Sequence, residues 1–315
     1  MDGADLLDPS IAAQADLVPI PDITPEVLQT IRSVPLGAPP GLSDEVERTD
    51  HVVSTDPEVV VRVHRRKGLG GVLPCVYSIH GGGYILGSYA MDDARFDSWC
   101  RRFDVVGVSV EYRLAPETPY PGPLDDCDAG LRWVVDHAAE LGVDPDRIGI
   151  SGISAGGGLA AALALLVRDR GTPELRFQLL ECPMLDDRQA TPSSRLDRLL
   201  VWSRISNAFG WQSYLGALYG ADDVPYVAAP ARCADLRGLP PTFVAVGGAD
   251  GFRDEDIDYA LRCSQAGVAT ELHVYPGAPH GVQMFPGNAI ARQWQRDEDE
   301  WLERQLASLG GAGQG

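Results

Sequence analysis

Lysine is almost missing from this chain: among 315 residues, Lys67 stands alone. A serine nucleophile activated by a lysine three residues later would need serine at position 64, where His64 stands. Schiff-base chemistry would have to use Lys67 in Arg65-Arg66-Lys67-Gly68, which reads as the solvated end of a strand. A phosphate-cradling loop lacks both its lysine and its glycines, since no G-x-G-x-x-G occurs anywhere. Positive charge is scarce in general, with a formal charge of −19 and a pI near 4.6. That excludes nucleic acid and anionic membranes as natural partners. The six cysteines, at 75, 100, 127, 182, 233 and 263, form no C-x-x-C pair, so neither a metal centre nor a disulfide framework is expected. No apolar run approaches the length of a membrane span, and the acidic start Met1-Asp2-Gly3-Ala4-Asp5 lacks the basic region of a signal peptide. The expected location is cytoplasmic, and the one macromolecular partner left open is a second copy of the chain.

What is present centres on Gly152-Ile153-Ser154-Ala155-Gly156. A serine with glycine two residues before and two after fits a sharp strand-to-helix turn, where the approach of strand to helix leaves no room for a Cβ. Arg147-Ile148-Gly149-Ile150-Ser151 reads as the strand before this turn, and the small-residue run from Gly157 to Leu166 as the helix after it. No other serine has this spacing. A glycine-rich turn with an incidental serine is the plainer alternative, and the flanking strand and helix argue against it.

A nucleophilic serine needs a histidine to take its proton and a carboxylate to orient that histidine. Downstream, Thr242-Phe243-Val244-Ala245-Val246 reads as a buried strand running into Gly247-Gly248-Ala249-Asp250. Glu271-Leu272-His273-Val274-Tyr275 reads as a second strand, followed by Pro276-Gly277-Ala278-Pro279-His280-Gly281. The order Ser154, Asp250, His280 is that of the α/β-hydrolases. Asp250 is preferred over Asp254, Glu255, Asp256 and Asp258 because it lies directly past a strand end, where sites of open α/β sheets collect. The other four read as the solvated, dipole-favoured start of a helix. His51, His64, His137 and His273 lie in or beside regular elements and read as structural.

His80-Gly81-Gly82-Gly83-Tyr84 follows the apolar strand Leu73 to Ile79. Acyl transfer builds charge on a carbonyl oxygen, and three consecutive glycines leave backbone N–H groups open to it. The expected donors are Gly81 and Gly82, with Ala155 as the third.

Strand and helix signals alternate along the chain, which argues for a mostly parallel sheet covered on both faces. Two strands are expected within 51–66, then strands at 73–79, 105–110, into Ser154, at 175–180, and before Asp250 and His280. Helices are expected near 124–141, 156–170, 254–266 and 289–309. In the last of these, Trp294 and Trp301 mark the buried side. Two segments stand outside the alternation, 1–48 and 187–222, and are expected to form a cap over a core divided into 49–186 and 223–315. The aromatics of the second segment read first as packing, and Tyr84, Ile153, Trp202, Phe209, Trp211 and Tyr214 are the candidates for lining a substrate pocket.

Taken together, His80-Gly81-Gly82-Gly83-Tyr84, Glu111-Tyr112-Arg113-Leu114-Ala115-Pro116-Glu117 running on to Asp125-Asp126-Cys127, Gly152 to Gly157, Asp250 to Glu255, and Pro279-His280-Gly281 resemble the hormone-sensitive lipase-like branch of the α/β-hydrolases, the bacterial family IV carboxylesterases. The resemblance covers most of the chain. It implies an eight-stranded hydrolase core with a helical cap, and hydrolysis of short to medium acyl esters without metal or other cofactor. The chain departs from the family pattern at Ile153, where Asp or Thr is usual, at Gly158, where Asn is common, and at Gly251-Phe252, where Pro-Leu commonly follows the aspartate. The expected function is a serine carboxylesterase acting on a small ester. The alternatives are an amidase or deacetylase with the same triad, and a non-catalytic small-molecule-binding member of the fold.

Overall fold

The computed structural model describes residues 2–15, 20–34, 41–285 and 287–308. Its eight strands are β1 (Val46–Thr55), β2 (Glu58–Arg66), β3 (Leu73–Ile79), β4 (Val106–Glu111), β5 (Val143–Ile153), β6 (Gln178–Glu181), β7 (Thr242–Gly247) and β8 (Thr270–Tyr275). They form one sheet in the order β1-β2-β4-β3-β5-β6-β7-β8. β2 runs antiparallel to both its neighbours, and every pairing from β4 to β8 is parallel. The described helices are α1 (Pro9–Ala12), α2 (Leu28–Ser33), α3 (Asp93–Phe103), α4 (Gly122–Asp136), α5 (Ala138–Leu141), α6 (Ala155–Arg170), α7 (Arg204–Leu215), α8 (Arg253–Gln265) and α9 (Ala289–Ser308).

Burial follows position in the sheet. The interior strands β3, β4 and β7 are buried almost throughout, as strands covered on both faces must be, whereas β1 at the edge is buried only at Val46. Successive residues point to opposite faces: Cys75 and Tyr77 join the core beneath α4, α6 and α8, while Val76 joins the core beneath α3 and α9. Within α9, Trp294 and Trp301 are buried as expected.

Three expectations shift. The sixth strand occupies 178–181 rather than 175–180. β1 begins at Val46, so the first segment ends short of 48. Finally, α3 was not expected: its acidic and basic residues obscure Phe96, Trp99 and Cys100, whose helical spacing carries them into the core. Among the described residues no helix is long and apolar enough to cross a membrane.

Candidate active site

β5 delivers Ser154 into a backbone conformation of φ 58° and ψ −122°, at the N-terminus of α6. Such a conformation is strained for a residue with a side chain, and it persists because the surroundings impose it. A Cβ on Gly152 would lie 2.2 Å from the Gly156 carbonyl oxygen, and one on Gly156 would lie 2.0 Å from that of Ile79. Both glycines are therefore fixed by backbone contact. The Ser154 N–H donates to the Glu181 carbonyl at 2.8 Å, and its own carbonyl accepts from Met184 N–H at 2.9 Å.

The turn after β7 carries Asp250, and the loop after β8 carries His280. Backbone bonds join them, Gly248 N–H to Tyr275 O at 2.7 Å and Ala249 N–H to Ala278 O at 2.9 Å. His280 Nδ1 lies 2.8 Å from Asp250 Oδ2, and its Nε2 lies 2.9 Å from Ser154 Oγ. The other Asp250 oxygen accepts the Phe252 N–H at 3.0 Å. Since the carboxylate accepts, Nδ1 carries the proton in neutral His280, which leaves Nε2 free to accept from the serine hydroxyl. All three side chains are buried, and Phe252 meets the imidazole edge-on at 5.1 Å.

The glycine loop lies beside the elbow. A Cβ on Gly81 would sit 3.0 Å from the Ile153 carbonyl, and Gly82 has φ +119°, with its carbonyl accepting from Ile85 and Leu86. Among the described residues no hydrogen bond uses the N–H of Gly81, Gly82 or Ala155. His80 is buried, stacks on Tyr112 at 4.2 Å, and its Nδ1 donates to the Gly81 carbonyl at 2.8 Å. Burial lowers its pKa to about 4, so it acts as a neutral brace for the loop.

The expected pocket residues divide. Tyr84, Trp211 and Tyr214 have no surface to offer a substrate, being 1%, 0% and 1% exposed. Tyr84 stacks on Tyr214 at 4.0 Å, leans against Trp211 and donates to the Met184 carbonyl at 3.1 Å. These three are packing that fastens α7 to the glycine loop, which corrects their expected role. Trp202, whose ring centroid is 6.5 Å from that of His280, and the half-buried Ile153, next to Ser154, stay close to the site, and Phe209 is half-buried against the core.

The acidic run after Asp250 also departs from expectation. Asp258 is exposed, and Asp254 is half-buried, accepting from Ser193 N–H at 2.7 Å and from Arg253. Glu255 and Asp256 instead point inward. Glu255 Oε1 accepts from Leu185 and Asp186 N–H at 2.8 and 3.1 Å, and Asp256 is fully buried with neither oxygen hydrogen-bonded. Burial, reinforced by neighbouring carboxylates, pushes both carboxyls well above their ordinary range. Sequence position could not distinguish these two from their solvated neighbours, because the chain covering Glu255 lies about 70 residues earlier.

Among the described residues, one set of three side chains has metal-ligand atoms mutually within 4.8 Å, Cys182, Asp250 and His280. Asp250 and His280 already face each other through a hydrogen bond, and burial raises the Cys182 thiol well above its usual pKa. The set suits a hydrogen-bonded pair beside an inert thiol better than a cation, which requires thiolate.

An eight-stranded, mostly parallel sheet with a serine at a strand-to-helix elbow and a histidine beside it is the arrangement of a hydrolase. A profile described as the alpha/beta hydrolase fold matches residues 76–284, and the chain belongs to that family. Carboxylesterase NlhH of Mycobacterium tuberculosis is 36% identical over 288 residues, covering 89% of each chain. Of solved structures, a bacterial heroin esterase superposes with a TM-score of 0.88 at 37% identity, covering 96% of this chain and 98% of its own. Esterase LipW from Mycobacterium marinum superposes with a TM-score of 0.84 at 34% identity, covering 96% of each chain.

Proposed function

We propose that the protein is a serine carboxylesterase acting on short- to medium-chain acyl esters. The observation that carries this reading is the unbroken chain Ser154 Oγ, His280 Nε2, His280 Nδ1, Asp250 Oδ2, with links of 2.9 and 2.8 Å. His280 takes the hydroxyl proton as Oγ attacks the ester carbonyl, and Asp250 stabilises the imidazolium that forms. The Gly81, Gly82 and Ala155 N–H groups, free of partners among the described residues, receive the oxyanion. The imidazolium then protonates the departing alcohol, and a water activated by His280 hydrolyses the acyl-enzyme.

The described residues before β1, together with residues 187–222, act as the cap over this site. Gly3 N–H donates to Asp197 O at 2.8 Å, and Ile23 N–H to Ser206 Oγ at 2.9 Å, so the two segments are joined to each other. Ile153, Trp202 and Phe209 bound the acyl pocket. Each methylene that fits gains about 0.8 kcal/mol of burial, and one that does not fit forfeits this and adds strain. The enzyme works in the cytoplasm: all six cysteines are free thiols, the state that a reducing compartment maintains.

The test is a series of p-nitrophenyl esters of increasing acyl length alongside a matched anilide. We expect kcat/KM to peak at roughly two to eight acyl carbons, with the anilide far slower. Comparable rates on the anilide would favour an amidase, and no turnover of either would favour a binding protein.

A further inference from the structure

Glu181 ends β6 with its two functional groups directed at two different parts of the site. Its main-chain carbonyl accepts the Ser154 N–H at 2.8 Å. Its side chain is fully buried, and Oε2 accepts Gln283 Nε2 at 2.8 Å and Trp294 Nε1 at 3.1 Å. Gln283 stands three residues after His280, in the single turn Val282–Met284 that starts from Gly281 in the left-handed region. The elbow carrying the serine and the loop carrying the histidine thus converge on one residue.

The arrangement around that carboxylate is specific. Oε1 pairs with Arg95, a half-buried side chain whose guanidinium lies over the Trp99 ring at 5.2 Å and faces Glu298 at 3.8 Å. A carboxylate withdrawn from water is costly unless a cation and donors surround it, and an apolar side chain would fill the space without that cost. What a carboxylate adds here is directional, charge-assisted hydrogen bonding. The His280 loop is anchored on its N-terminal side by the Ala249–Ala278 backbone bond, and Gln283 to Glu181 is the matching anchor beyond the histidine.

We propose that Glu181, acting through Gln283, is a positioning residue that sets the His280 loop against the Ser154 elbow. This rests on the reading of Ser154 and His280 as nucleophile and base. Glu181 and Gln283 touch no reacting atom. Their effect is to hold the 2.9 Å separation of Nε2 and Oγ, where a displacement of about 1 Å can cost roughly 100-fold in rate.

The experiment compares the full-length protein with Gln283→Met, which keeps length but removes the donor, and Gln283→Lys, which returns a donor to the carboxylate. Readouts are kcat and KM on p-nitrophenyl acetate, the rate of Ser154 phosphonylation by an uncharged phosphonate, and Tm. We expect Gln283→Met to lower kcat and the phosphonylation rate together by about 10- to 100-fold, with KM within about twofold. Gln283→Lys should recover most of both. Wild-type rates in Gln283→Met, or equal losses in both variants that follow Tm, would overturn the proposal while leaving the catalytic reading intact. A wild-type protein that does not react at Ser154 would overturn both.

Discussion

The indole of Trp202 packs directly against Gly83: a Cβ built on that glycine would fall 2.1 Å from Cη2 of the ring. Gly210 of α7 approaches from the same side, where a Cβ would come 2.8 Å from the Gly83 carbonyl. The segment bearing Trp202 and the helix after it therefore shape the glycine loop by direct contact. Gly83→Ala must displace either the indole or the loop, and φ +61° adds backbone strain. Loss of a single oxyanion donor costs about 100- to 1000-fold in kcat, and a shifted loop should approach that loss. Steady-state kinetics with Tm as control checks this; activity within about threefold of wild type would mean the loop tolerates the change.

The two aspartates flanking the start of α8 should behave differently. Asp250→Asn leaves His280 without its orienting acceptor and favours the wrong tautomer, so kcat should fall by about 10⁴-fold. Asp254 is occupied with Ser193 and Arg253, and Asp254→Asn should stay within about threefold of wild type. Equal impairment of the two would contradict the geometry.

Asp256 gives a pH signature. Burial first, then the charges of Glu255 and Asp250, raises its pKa in the folded protein above the ordinary 3.8. The folded state then holds a proton that the unfolded state releases. The stability this proton confers is complete below the unfolded pKa and is lost as pH rises through the folded one, at about 1.4 kcal/mol per pH unit. Asp256→Asn removes that loss. Urea titrations should therefore show the variant gaining on wild type as pH rises above the ordinary aspartate range, and a difference that stays constant with pH would show that Asp256 does not titrate as described.

The elbow and the glycine loop were legible because their constraints are local: Gly152 and Gly82 are demanded by backbone atoms four residues away. The positions of Asp250 and His280 were legible from strand ends for the same reason. Trp294 and Trp301 declared the inner face of α9 by spacing alone. Remote contacts were not legible. Trp211 and Tyr214 are packed against Tyr84, more than a hundred residues earlier, and the burial of Glu255 is decided by Leu185 and Asp186. Glu181 carried no sequence signal at all, since its partners stand at 95, 283 and 294.

Covalent modification reports on Ser154 as the nucleophile. The protein is treated with an organophosphate, its intact mass is measured, and the adduct is located by peptide mapping. One equivalent should bind, on Ser154, with activity lost in parallel; Ser154→Ala should take up none and lose on the order of 10³-fold or more in turnover with an unchanged circular dichroism spectrum. An adduct on any other residue, or a folded Ser154→Ala variant that still hydrolyses ester at the wild-type rate, would contradict that role.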